Sequence, residues 1–152
     1  VTVVCVYIPS GEAEGPKYEY KMEFLEDFLV WINELRKERP NIVVCGDYNI
    51  AHKPIDINHP ERQVGVSGFL PEERAWLDRW QESGMVDTFR MFDPNPERYS
   101  WWSFRANSRA RNVGWRIDYH WVSEPLKERV TDAKILNEVV HSDHCPVVVW
   151  ID

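Results

Sequence analysis

Between Lys17 and Arg39, apolar residues fall at Met22, Leu25, Phe28, Leu29, Ile32 and Leu35, three and four positions apart. That spacing lines one face of a helix and predicts an amphipathic α-helix over 17–39, which Pro40 cannot extend. Val1–Ile8 and Ile42–Cys45 are instead continuous, largely β-branched runs without alternation, the pattern of strands covered on both faces. The first run ends in Pro9-Ser10-Gly11 and the second in Gly46-Asp47. Strand–helix–strand order predicts neighbouring parallel strands joined by a right-handed crossover. Residues 51–68 have no period and hold Pro54, Pro60, Gly65 and Gly68, which predicts a long loop, and loops of that length usually carry function. Pro71 opens a second helix to about Glu82, with Trp76, Leu77 and Trp80 inward and Gly84 stopping it. Strand-like segments follow over 99–103, 116–122, 130–136 and 147–151. The order predicts an α/β fold, a mixed β-sheet covered by helices, in a single domain over 1–152.

Composition narrows the class. The 152 residues are 43% hydrophobic and 28% charged, and no run approaches the roughly 20 apolar residues that span a bilayer, so a soluble protein without a membrane partner is expected. The opening VTVVCVYI lacks the basic start and cleavage site of a secretory signal. It starts within a strand, which predicts a truncated domain whose uncovered sheet face drives association, including a homodimer. Cys5, Cys45 and Cys145 each adjoin apolar runs, as reduced core thiols of a cytoplasmic protein would. None forms a CxxC pair, which leaves a structural zinc site little support. The formal charge of −7 argues against DNA binding by bulk electrostatics. Locally, however, Arg98, Arg105, Arg109, Arg111 and Arg116 occur without an acid among Tyr99, Trp101, Trp102, Phe104 and Trp115. Such a stretch suits a surface that tracks a nucleic-acid backbone; the alternative is an Arg-rich solvated loop.

Four short segments carry candidate chemistry. Gly46-Asp47-Tyr48-Asn49 follows a buried strand and places a carboxylate and an amide at its carboxyl end, where open α/β sheets form sites. Asp47 can deprotonate a water, and Asn49 can donate to a phosphate oxygen without adding negative charge. The same string also reads as an Asx turn that merely ends the strand. Ser142-Asp143-His144 precedes the last strand, so Asp143 can offer oxygen to a divalent cation while the imidazole meets a scissile group; a surface Asp–His pair is the alternative. Asp118, in Arg116-Ile117-Asp118-Tyr119, can either orient His144 or pair with Arg116. Tyr7 can bond a phosphate at the rim or pack as a buried strand tyrosine. Together these oxygen-rich groups suit Mg²⁺ and phosphate, although a second strong metal carboxylate is missing.

At these residues the chain resembles the exonuclease III-type apurinic/apyrimidinic endonucleases of the endonuclease/exonuclease/phosphatase superfamily. The matching strings, in order, are VYIPSG, VVCGDYNIAH, IDINHP, GFLPEERAWL, NVGWRIDYHWVS and HSDHCPVVVWI. The GDxN and SDH signatures imply only the superfamily fold and metal-dependent phosphoester hydrolysis, whereas GFLPEERAWL and NVGWRIDY resemble the DNA-repair branch. The resemblance implies the second, carboxy-terminal half of a four-layer α/β sandwich that cleaves DNA at abasic sites, or from 3′ ends, with Mg²⁺ or alternatively Mn²⁺. It implies that Asp47 activates water, that Asn49 and Tyr7 hold the phosphate, and that His144 contacts it while bonded to Asp118. Asp143, Asp47 and Asn49 would lie near the metal. Trp101 and Trp102 would line the pocket for a flipped-out abasic sugar, with core packing the alternative for one of the two, Trp115 would support its wall, and Arg105 and Ser10 would reach the DNA. Ser10 departs from the family pattern, which often has an amide there. The family's first half carries an Asn and a Glu metal ligand, so this half by itself is expected to be inactive. Two other functions stay open: a superfamily hydrolase of RNA, nucleotide or lipid phosphodiesters, and a non-catalytic nucleic-acid-binding module.

Overall fold

A computed structural model describes all residues, Val1–Asp152. In chain order the elements are β1 (Thr2–Tyr7), α1 (Pro16–Glu38), β2 (Ile42–Asp47), α2 (Pro60–Gln63), α3 (Pro71–Glu82), β3 (Met85–Asp87), α4 (Thr88–Phe92), β4 (Trp101–Trp102), β5 (Gly114–Trp115), β6 (Asp118–Ser123), β7 (Val130–Ile135) and β8 (Val147–Ile151). The main sheet runs β1-β2-β6-β3, with β1 parallel to β2 and β6 antiparallel to both β2 and β3. Two antiparallel pairs, β4-β5 and β7-β8, stand beside it. The expected mixed sheet with helices is present.

The helices form where the apolar spacing places them. α1 starts at Pro16, buries Leu25, Phe28, Leu29 and Ile32, and ends in Arg36 and Lys37 before Pro40, with cations where the helix dipole favours them. α3 starts at Pro71 and buries Trp76, Leu77 and Trp80. Both helices cover one face of the sheet in a core that includes Val44, Tyr119 and Trp121. On the opposite face, Val43 and Val122 pack with Leu126 and Val130, and Val149 and Ile151 of β8 close over them.

β1 departs from expectation. Val3 and Tyr7 are each 64% exposed, so the strand is covered on one face only. It lies at the sheet edge, and the β7-β8 pair packs beyond it over β2 and β6. Continuous β-branching reports that a strand forms; coverage depends on what lies across from it. Cys5 on the same uncovered face is exposed and Cys45 is half-buried, so only Cys145 is the buried thiol expected. Residues 51–68 are also more structured than a plain loop, with a 3₁₀ turn at Pro54–Asp56 followed by α2.

Candidate active site

Strand register builds the site. Tyr7 of β1 pairs with Asp47 of β2, and Asp47 pairs with Asp118 of β6, so the three residues stand in one transverse row at the end of the sheet. Gly46 makes this row possible: at φ 139° a Cβ there would sit 1.9 Å from the Val6 carbonyl oxygen, so only glycine lets β1 come this close. Two carboxylates directly opposite one another across a strand pair repel, an arrangement that costs stability unless something compensates.

His144 supplies part of that compensation. Its Nδ1 lies 2.9 Å from an Asp118 oxygen, and its Nε2 lies 3.9 Å from Asp47. The hydrogen bond to Asp118 raises the imidazole pKa, with the neighbouring carboxylates adding to the effect. Asp47 is pushed up to about 6, first by burial and then by the Asp118 charge, against the opposing pull of the Asn49 N–H, His144 and Lys21. Ligand atoms of Asp47, Asp118 and His144 lie within 4.8 Å of one another, a group able to hold a metal ion. The donors are mainly carboxylate oxygens, which suit a hard divalent cation, and such a cation would relieve the repulsion between the two acids.

The turn after β2 is closed by Asp47 itself. Asp47 Oδ1 accepts the Asn49 N–H at 2.8 Å, an Asx turn that holds Asn49 at φ 50°. Asn49 Nδ2 donates to the Ile8 carbonyl at 2.7 Å and still has one N–H to offer. Asn49 and His144 border a cleft of about 320 Å³ whose walls include Gly68, Trp101, Trp115 and Ile117. Trp101 and Trp115 meet edge to face, with centroids 6.1 Å apart.

Several expected members are elsewhere. Asp143 is outside the Asp47–Asp118–His144 group. Its carboxylate, in the bend before His144, instead accepts the Trp101 indole N–H at 3.0 Å. Burial would raise its pKa, yet the hydrogen bonds from Trp101 and Ser142 outweigh that and lower it. Trp102 is also turned away. It is 3% exposed, packs with Tyr99 and Cys145, and lines a separate cleft of about 410 Å³. Its neighbour Trp101 takes the site-facing side of the two-residue strand. Tyr7 is exposed on the row, not buried. Ser10 lies exposed beyond it, and Arg105 is exposed on a 3₁₀ turn without an ion pair.

The basic stretch divides. Arg116 is buried between Asp56, at 2.8 Å, and Asp87, so it neither faces solvent nor binds Asp118. Arg109 donates to the carbonyls of Ser142, Asn137 and Val139, fastening the segment that carries His144. Arg98 pairs with Asp93. Of the five arginines, Arg105 and Arg111 remain as exposed cations without a carboxylate partner. Sequence reasoning did not single out Gly68 and Ile117 of the cleft, or Lys21 and Glu73 behind it. Glu73 could have been found from its place three residues after Leu70, where a helix-start acid caps the preceding N–H.

A profile of the Endonuclease/Exonuclease/phosphatase family matches residues 1–144. Among curated proteins, the chain is 44% identical to an exodeoxyribonuclease of Bacillus subtilis, over 100% of this chain and 60% of that one. It is 36% identical to a DNA-(apurinic or apyrimidinic site) endonuclease of Dictyostelium discoideum, over 99% and 42% respectively. Among solved structures, a Neisseria 3′ phosphatase bound to a product DNA hairpin superposes with TM-score 0.94 at 27% identity, covering 99% of this chain and 60% of that one. An Archaeoglobus fulgidus AP endonuclease superposes at 0.89 with 30% identity, covering 99% and 61%. The chain thus spans 60% or less of the length of these curated relatives. With the fold and the family profile over residues 1–144 in agreement, the chain belongs to the Endonuclease/Exonuclease/phosphatase family.

Proposed function

We propose that this chain supplies the acid–base and phosphate-contacting half of a metal-dependent phosphodiesterase that incises DNA at abasic sites and can trim 3′ ends. The observation that carries the proposal is the Asp47–Asp118–His144 group standing against a cleft walled by Trp101 and Trp115. The names of the relatives support the DNA assignment.

In this reading Asp47 is the base. In the metal-free site its carboxyl is pushed up to about 6 and a bound cation would draw it back down, so at neutral pH it stands as the ionised carboxylate that accepts a proton from an attacking water. His144, fixed by Asp118, presents a positively charged Nε2 to the phosphate, and Asn49 donates its remaining N–H to a phosphate oxygen. Tyr7 offers its exposed hydroxyl at the rim. Trp101 and Trp115 receive the sugar that lacks a base, while an intact nucleotide is rejected by size. Arg105 reaches the DNA backbone. Mg²⁺, held by Asp47 with help from Asn49, would supply charge neutralisation at the phosphate. Asp143 acts by holding Trp101 instead of the metal, and Trp102 acts through packing.

The test is cleavage of a duplex carrying one tetrahydrofuran abasic analogue, with Mg²⁺ or with EDTA. The chain is assayed alone and joined to the amino-terminal portion of the Bacillus subtilis relative. Mg²⁺-dependent incision 5′ to the lesion by the joined protein, with the chain alone silent, is the expected result. Hydrolysis of other phosphodiesters without lesion cleavage would end the DNA-repair assignment. The uncovered face of β1, with Val3 and Tyr7, is proposed to pair with a second copy when no other partner covers it. A monomer by light scattering at high concentration refutes that.

A further inference from the structure

We infer that the buried Lys21–Glu73 ion pair is the positioning device that sets the width of the substrate cleft. The inference rests on the function proposed above for that cleft.

Lys21 of α1 and Glu73 of α3 are only 2% and 1% exposed, and their charged atoms meet at 2.5 Å. A buried ion pair is poor evidence of stabilisation, because desolvation consumes most of the Coulomb gain. What distinguishes this pair is where its remaining bonds go. Lys21 Nζ donates to the Asn49 carbonyl at 2.8 Å. Glu73 Oε1 accepts the N–H of Gly68 at 2.7 Å and of Leu70 at 3.0 Å. Asn49 and Gly68 are cleft-lining residues in left-handed backbone conformations, at φ 50° and 98°. Gly68 also accepts the Ala51 N–H at 2.8 Å, which ties the two segments together. One ion pair therefore grips both unusual backbone positions from behind, and each grip is a charge-assisted hydrogen bond.

The consequence for the cleft runs through Trp115. A Cβ on Gly68 would sit 2.6 Å from the Trp115 ring, so the ring rests directly against the Gly68 backbone. If Glu73 releases the Gly68 N–H, that backbone can shift and the Trp115 wall shifts with it. If Lys21 releases the Asn49 carbonyl, the amide that faces the phosphate loses its support. Neither charged side chain touches substrate, so both are positioning residues.

The test is the neutral double variant Lys21→Met/Glu73→Gln, which leaves no unpaired buried charge and keeps an acceptor at position 73. It is made in whichever form of the protein cleaves the abasic duplex. Expected are a KM for that duplex raised roughly tenfold, and a preference for it over an intact duplex lowered by a similar factor, as loosened positioning requires. A purely structural role would lower the active fraction, which reduces kcat but leaves KM and the preference unchanged, and that outcome overturns the inference. Amide hydrogen exchange at Asn49, Ala51 and Gly68 supplies a readout independent of catalysis. Faster exchange there, with α1 and α3 unchanged, is expected; equal protection in both proteins overturns the inference. If no form of the protein cleaves, the proposed function has failed, and exchange alone decides the coupling. Should the double variant not fold, Lys21→Arg carries the same readouts, because it keeps the charge but changes the bond to Asn49.

Discussion

The protein holds two clusters of acids around a cationic partner, and they are built in opposite ways. At Asp56–Arg116–Asp87, a fully buried guanidinium binds both carboxylates. There burial would raise the Asp56 pKa, but Arg116 and Arg90 outweigh it and hold the group below its ordinary value. At Asp47–Asp118–His144, the two acids face each other across a strand pair, and a single titratable imidazole stands in for the guanidinium. Burial, with the Asp118 charge added, pushes Asp47 up to about 6, and the imidazole offsets only part of that. Complete compensation gives a structural tie; incomplete compensation leaves a group ready to take a proton or bind a cation.

The largest effect that tests this contrast is on catalysis. Asp47→Asn is expected to lower single-turnover cleavage of an abasic duplex by about 10²–10⁴-fold, the range for loss of a general base. Activity within a few-fold of the parent would place the chemistry elsewhere. Second, Arg116→Met leaves Asp87 without its cation and Asp56 with Arg90 alone, and is expected to destabilise by about 3–5 kcal/mol in urea unfolding. Lost cleavage with unchanged stability would erase the distinction between the clusters.

Third, Asp47→Asn should raise stability at pH 7 by about 1–3 kcal/mol, given a shift of roughly two pKa units. The sign follows from the direction of the shift. The folded carboxyl binds its proton more tightly than the unfolded one, so its stabilising contribution is complete below the unfolded value of 3.8 and disappears as pH rises through about 6. Urea unfolding of the metal-free protein at pH 4 and pH 7 checks this, and equal stability of variant and parent at both would refute it. Smallest is the effect of Asp118→Asn, which should lower the raised His144 pKa, as followed by NMR titration of its ring. An unmoved titration would mean that Asp118 does not hold the imidazolium.

The same contrast explains what the sequence made legible. α1 and α3 could be read because a helix reports its buried face in its own spacing, as Leu25, Phe28 and Ile32 do. Asp47, Asn49, Asp118 and His144 could be grouped because strand ends converge. Arg116 was misplaced because a run of arginines does not say which side chain turns inward; that depends on Asp56, sixty residues away. Of the adjacent Trp101 and Trp102, the sequence leaves one for core packing without saying which, and the structure sends Trp101 to the cleft and Trp102 inward. Lys21 and Glu73 were invisible as a pair, since their meeting depends on how α1 and α3 dock.

The transverse row of Tyr7, Asp47 and Asp118 also governs which changes in chain length the protein can survive. A residue inserted at an exposed point of the 51–68 segment displaces surface. A residue inserted or deleted within β2 or β6 reverses every side chain beyond it, turning one acid into the helix-covered core and an apolar neighbour outward. Gain and loss of residues should therefore be tolerated in the connections of this protein and forbidden in its inner strands, whatever the substituted side chains.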